Sequence, residues 1–259
     1  MGKKAKSKYP RRRKKHRGVR AFFTVLTFCV IVGAIIMSLT VFLKVAKVEV
    51  RGAARYKSSD IVLASGIKVG DNLFGINKFA VSDKVLKKYP YIETLKITRR
   101  LPDTFVFTVT ERVPCGYIDL GEQRWIIDKT GTLLERTSVK KKINLPKILA
   151  GEPLLAPVVG DKINWKEAGR LPALELVLRE VQAAGLVSKI GQVDASALYS
   201  ISFTYENRFR VVLGGSENMA KKFKMLAAVI PKLAPTDRGT LNVSDVKKVR
   251  FTPNAAIKF

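Results

Sequence analysis

A chain of 259 residues with 48 Lys and Arg against 21 Asp and Glu carries a formal net charge of +27, with two cysteines and one histidine. Two cysteines exclude a disulfide framework, and the large positive excess points to polyanionic neighbours or to a strongly solvated surface rather than to any fold.

The first twenty residues hold no acid but eleven bases: Lys3, Lys4, Lys6, Lys8, Arg11, Arg12, Arg13, Lys14, Lys15, Arg17 and Arg20. The run from Ala21 to Leu43 then carries no charge. An apolar run of ~20 residues crosses the ~30 Å hydrocarbon core of a bilayer as one helix. Basic residues beside such a span stay cytoplasmic. The expectation is a single-pass type II membrane protein, with residues 1–20 a cytoplasmic tail, 21–43 the membrane helix and everything after Lys44 outside. A cleaved signal peptide fits less well, because its apolar core is only ~7–15 residues and Phe42-Leu43-Lys44-Val45 offers no small-residue cleavage site. The basic tail also resembles a nucleic-acid arm, but its contiguity with the span favours a topology signal, and no nucleic acid is expected as a partner.

Removing the eleven tail charges from +27 leaves +16 on the outer part, which fits contact with anionic lipid or wall polymer as well as simple solubility. Its first segment, 44–113, predicts strand, helix, helix, strand, strand. Val48 and Val50 alternate with Lys47, Glu49 and Arg51, and Gly52 ends the strand. Ser59-Asp60 is placed to cap a short helix over Ile61 to Ser65 that Gly66 stops. A turn-rich loop follows over 68–74. A second helix, Lys78 to Lys88, sets Phe79, Val81, Val85 and Leu86 near one face before Pro90. Leu95 and Ile97 alternate in one strand, and Phe105, Phe107 and Val109 in the next, across an Arg100-Leu101-Pro102-Asp103 turn. The result is a small three-stranded sheet with both helices on one face, a compact α+β domain.

The second segment, 114–259, reads as β-rich α+β. Gly116–Ile118, Arg124–Asp128 and Leu133-Leu134 are short strands, and 136–164 is a loop-rich connection. Leu171, Leu174, Leu178 and Val181 share one helix face ahead of Gly185. Tyr199, Ile201, Phe203 and Tyr205 alternate with Ser200, Ser202 and Thr204 up to a Glu206-Asn207 turn, and the strand Phe209–Leu213 completes a hairpin. Met219, Phe223, Leu226 and Ile230 mark a last helix, and Lys247–Phe251 a last strand.

Catalysis has little to stand on. The outer part has no histidine, so neither a Ser-His-Asp nor a Cys-His arrangement can form there, and the usual Cys/His zinc site is lost with them. Without a base beside it, Cys115 reads as a structural cysteine. The only open route is a carboxylate pair among Glu111, Asp119, Glu122 and Asp128, and Asp128 and Glu111 are better explained as a turn former and a strand-end residue.

Val48-x-Val50-x-Gly52, the loop Gly70-Asp71-Asn72-Leu73-Phe74, Pro90-Tyr91-Ile92, Leu101-Pro102 and Glu111-Arg112-Val113-Pro114 together resemble a POTRA domain. Placed behind one span and followed by Trp125-Ile126-Ile127-Asp128-x-x-Gly131 and Leu145-Pro146-Lys147-Ile148-Leu149-Ala150-Gly151, they resemble the FtsQ/DivIB family of bacterial division proteins. The resemblance implies a non-catalytic, cofactor-free scaffold of the septal wall-synthesis machinery. Its partners would be bitopic coiled-coil proteins of the FtsB/DivIC and FtsL type. The alternative is a membrane-anchored wall hydrolase or transferase using acidic residues. A POTRA chaperone for outer-membrane barrels is excluded by the lack of a following run of barrel strands.

Two surfaces are expected to bind. The terminal strand at the end of the chain has an outer edge that no later strand needs, a template for β-augmentation. The tail resembles the family's partner-binding segment, with Val249, Arg250, Phe251, Ala255, Ala256, Ile257 and Phe259 as contacts and Phe251 and Phe259 as aromatic anchors; the alternative is that Val249 and Phe251 fill the chain's own core. Lys78, Lys84, Lys87 and Lys88 form a candidate recruitment surface for protein or anionic lipid.

Overall fold

The computed structural model describes residues 17–253. Its first element is α1 (Arg17–Phe42). Within it Gly18–Ser38 is long and apolar enough to cross a membrane, and none of that stretch is buried against the rest of the protein. The helix stops one residue short of the uncharged run. Leu43, expected in the span, packs against the core of the domain that follows.

That domain contains β1 (Lys47–Arg51), α2 (Ser58–Ser65), α3 (Lys78–Lys88), β2 (Ile92–Arg100) and β3 (Thr104–Glu111). β3 is central, parallel to β1 and antiparallel to β2. Ile61 of α2 and Val81 and Val85 of α3 bury against Leu95, Ile97, Phe105, Phe107 and Val109 of the sheet. The spacing of α3 is as the sequence predicts, and its start is set by Asn77, whose side chain accepts from the N–H groups of Phe79 and Ala80. Two expectations need correcting. The Ser59-Asp60 pair lies inside α2, whose N-cap is Lys57 without a side-chain cap; Gly66, at φ 74°, does end that helix. Phe79, placed by periodicity on the core face, is 89% exposed, because at ~100° per residue it points about 140° away from the direction shared by buried Val81 and Val85.

The second domain runs β4 (Pro114–Leu120), β5 (Gln123–Asp128), β6 (Leu133–Ser138), β7 (Lys147–Leu149), α4 (Arg170–Ala183), β8 (Ile190–Asp194), β9 (Ile201–Tyr205), β10 (Phe209–Gly214), α5 (Met219–Val229), β11 (Gly239–Asn242) and β12 (Arg250–Pro253). Its strands form one nine-stranded sheet in the order β12-β11-β10-β9-β8-β7-β4-β5-β6. The loop-rich connection over 136–164 thus hides β7, which stitches the two halves together by parallel pairing to β4 on one side and β8 on the other. Leu174, Val177, Leu178 and Val181 of α4 and Phe223 and Leu226 of α5 bury against the sheet, and Phe223 stacks on Phe203 at 5.8 Å between ring centres. Glu206 and Asn207 both take positive φ, in a three-residue connection, Glu206–Arg208, that closes the hairpin between β9 and β10.

The two domains meet through a small apolar cluster of Tyr91, Ile126 and Leu134, with Tyr56, Ile143 and Leu145 at its edge. Polar contacts close over it. The Arg55 guanidinium lies 3.6 Å above the Tyr91 ring. The Tyr91 hydroxyl donates to Glu135 at 2.9 Å, and Arg55 pairs with the same carboxylate at 3.0 Å. Burial, reinforced by the bond to Glu135, pushes the Tyr91 phenol pKa up. Deeper in, Arg112 at the end of the first domain pairs with buried Asp128 of the second at 2.7 Å.

Candidate partner-binding edge

β12 closes one end of the nine-stranded sheet, so its outer edge has no strand beside it among the described residues. It is antiparallel to β11, with Asn242 opposite Arg250, Leu241 opposite Phe251, Thr240 opposite Thr252 and Gly239 opposite Pro253. The strand lies later than the sequence expects, at 250–253 rather than 247–251. The cause is a compact turn before it: Asn242 accepts from Ser244, and the Asp245 carboxylate accepts the N–H of Lys247, holding 244–248 out of the ladder. Pro253, which has no N–H to give, fits an edge position.

Close approach of the backbone places this strand. A side chain at Gly239 would collide with the Thr252 carbonyl oxygen and come within 2.9 Å of the Phe251 ring. The Thr252 carbonyl therefore faces β11, and the alternation of peptide groups turns those of Phe251 outward. The Phe251 ring itself is half-buried, edge-on to Phe209 at 6.0 Å, and Val249 also packs against the core. Arg250, Thr252 and Pro253 are exposed. The structure thus presents the main chain and Arg250 at this edge, while Val249 and Phe251 are partly spent on the protein's own packing. Ala255, Ala256, Ile257 and Phe259 lie outside the described residues.

Beside the edge, the exposed face of β9–β11 forms an open groove of about 490 Å³ lined by Thr204, Arg208, Arg210 and Thr240 among others. With Lys247, Lys248 and Arg250 exposed, this side of the domain is basic. Of the four lysines of α3, Lys84, Lys87 and Lys88 are spaced i, i+3 and i+4 along the helix. Lys78 sits at the helix start, Lys84 lies beside Gly66, Lys87 pairs with Asp83 at 2.9 Å, and Lys88 lies over the Tyr89 ring.

Three of the four carboxylates weighed for catalysis, Asp128, Asp119 and Glu111, hold structure together. Asp128 is buried; besides Arg112 it accepts from the Thr130 N–H and hydroxyl, both at 2.8 Å, and from the Thr132 N–H at 2.9 Å. Asp119 accepts from Arg124 at 2.8 Å and pairs with Lys147 at 3.3 Å; the bond from Arg124 holds its pKa below the usual carboxylate range. Glu111 accepts the N–H groups of Ala54 and Arg55. Cys115 is fully buried, and that burial pushes its thiol up to about 12. Among the described residues no cluster of His, Cys, Asp and Glu could hold a metal ion.

Residues 43–112 match the family profile "POTRA domain, FtsQ-type", and residues 116–249 match "Cell division protein FtsQ/DivIB, C-terminal". A cell division protein DivIB from Clostridium acetobutylicum is 32% identical over 189 residues, covering 73% of this chain and 74% of that one. A cell division protein FtsQ from Corynebacterium glutamicum is 26% identical over 192 residues, covering 73% and 80%. A solved extracytoplasmic domain of DivIB from Geobacillus stearothermophilus aligns at 12% identity and a TM-score of 0.31, over 48% of this chain and 98% of that one. A membrane-length helix leading into a POTRA domain and a β-rich domain defines a class of division protein with a POTRA module. Within it, the chain belongs to the FtsQ/DivIB family of cell division proteins. The second profile ends at Val249, one residue before β12, so the edge strand rests on the structure and not on the profile.

Proposed function

We propose that this chain is a non-catalytic scaffold of the division machinery. α1 anchors it in the cell membrane with the basic tail in the cytoplasm, and both folded domains lie outside, at the septum. There β12 accepts a strand from a bitopic division protein of the FtsB/DivIC type, itself coupled to an FtsL-type partner, and so links the septal wall-synthesis proteins. The observation that carries this reading is the outer edge of β12, which among the described residues no strand covers and which exposed Arg250 marks for an acidic partner segment. The basic groove and the α3 lysines are secondary surfaces for wall polymer, protein or anionic lipid. Asp119 and Asp128 support the fold rather than a wall-cleaving reaction, because both are tied into ion pairs that a reacting carboxylate would have to leave.

The test uses the full chain in nanodiscs and a purified FtsB/DivIC-type partner. Ending the chain after Pro253, or changing Arg250→Glu, should weaken capture by about 1–3 kcal/mol, with thermal unfolding unchanged. Phe251→Ala should weaken it too, but also lower stability, since the ring packs on Phe209. Undiminished binding by both folded variants would move the site elsewhere.

A further inference from the structure

The chain enters the first domain at one pole, and hydrogen bonds fix what else is there. Just after α1, the Leu43 carbonyl accepts from the Leu73 N–H at 2.9 Å, the Val45 carbonyl accepts from Gly70 at 2.8 Å, and the Val45 N–H donates to Asp71 at 2.8 Å. The Ala46 N–H donates to the Asp103 carbonyl at 2.9 Å, which brings the tip of the β2–β3 hairpin to the same pole. α3 starts here and runs away toward the second domain, where Tyr91 sits in the junction cluster.

Exposed large apolar side chains collect at this pole. Val69 is 78% exposed, Phe74 50%, Phe79 89% and Leu101 62%. A solvated domain has no use for two exposed phenylalanines beside a valine and a leucine on neighbouring loops. The loop that shows them is held in shape. Arg99 donates to the carbonyls of Leu73, Phe74 and Ile76, and the Asn72 side chain accepts from the N–H groups of Phe74 and Gly75. The pole's acids, Asp71 and Asp103, accept from Lys68 N–H and the Thr104 hydroxyl, while Lys44 and Lys68 point their charge to solvent.

Position names the occupant. Four helical residues separate Ser38, the end of the membrane-length stretch, from Leu43, so five residue steps span ~8 Å. A loop bonded to Leu43 and Val45 therefore stands at the level of the lipid head groups. We infer that this pole is a membrane-docking surface: Val69, Phe74, Phe79 and Leu101 enter the head-group/acyl boundary, and Lys44 and Lys68 meet anionic lipid phosphate. The domain is thereby seated on the bilayer instead of swinging from a single tether. The inference rests on α1 spanning the membrane.

The experiment separates the two. Full-length chain is reconstituted in nanodiscs containing phosphatidylglycerol, with or without doxyl-labelled lipid, and single cysteines carry a polarity-sensitive fluorophore. Buried Cys115, its thiol held protonated, stays unlabelled in the folded protein. Native Cys29 reports the span; Cys29→Ser chains carry Phe74→Cys, Leu101→Cys or, as a control in the second domain, Tyr199→Cys. The expected result is deep-label quenching at 29, about twofold quenching by shallow doxyl lipid at 74 and 101, and none at 199. Adding Val69→Ser, Phe74→Ser and Phe79→Ser should abolish quenching at 101, which excludes insertion driven by the dye. Quenching at 29 with none at 74 and 101 would overturn the docking surface and leave the anchor standing. Absence of quenching at 29 would overturn both. Burial of position 74 only when another division protein is added would assign the pole to that protein.

Discussion

Replacing Asp128 by Ala should unfold the second domain far more readily than the loss of one surface charge would. The carboxylate is 2% exposed and its partner Arg112 is 19% exposed, so solvent screens the pair little. Removing one partner of a buried pair costs about 3–5 kcal/mol, because the remaining charge is stranded. Arg112 has no reserve: its Nε is buried without a hydrogen-bond partner, and Thr130 and Thr132 offer only distant hydroxyls at 3.4 Å. The N–H groups of Thr130 and Thr132 lose their acceptor at the same time. A loss of about 4 kcal/mol is a large part of the ~5–15 kcal/mol that holds a domain folded. Urea titration of the detergent-solubilised chain, followed by fluorescence of Trp125 and Trp165, both in this domain, should show the midpoint fall by about 2 M at a slope of ~2 kcal/mol per M. A fall under about 0.5 M would refute the claim that this pair supports the junction and the hairpin beside it. Asp128→Asn, an obvious test for catalysis, would for the same reason confuse lost activity with lost structure; Glu122, exposed at a turn, is the cleaner carboxylate to remove.

Further outcomes can be measured on the same protein. Glu135→Ala should loosen the domain junction by about 1–2 kcal/mol, seen as faster proteolysis between the domains, because the Tyr91 hydroxyl loses a charged acceptor. Gly239→Ala should lift β12 off β11, giving fast hydrogen exchange over 250–253 and lost partner capture with α4 and α5 still protected; an intact edge would refute the close approach. Stability should fall in alkali. The folded state favours the neutral Cys115 thiol, so its contribution is complete below about pH 9 and is lost as pH rises toward about 12; Tyr91 acts in the same direction, and a flat alkaline limb in melting experiments would count against both.

The sequence shows α3, α4 and the alternating strands β3 and β9 clearly, because each carries a full period of apolar residues within itself. It does not show β7, β8 or β11. β7 is three residues long and exists only through pairing with β4 and β8, while β11 opens on a glycine whose purpose is to let β12 approach. Arg55, Tyr91 and Glu135 form the junction across 80 residues of chain, a distance at which no local pattern can speak. The β12 edge was half legible. That a last strand exists follows from alternation, but its bounds follow from the Asp245 carboxylate accepting the Lys247 N–H, which alternation cannot register.

The strand order has a mechanical side. β6 carries Glu135 at the junction and β12 lies at the opposite end, eight ladder steps of ~4.8 Å away, or ~38 Å before twist. The sheet is thus a spacer as well as a core. It keeps the β12 edge clear of the junction and of the pole at which α1 enters the first domain. Force applied at the edge runs across successive ladders, and its weakest crossing is the single-residue pairing of Tyr117 with Lys147 between β4 and β7.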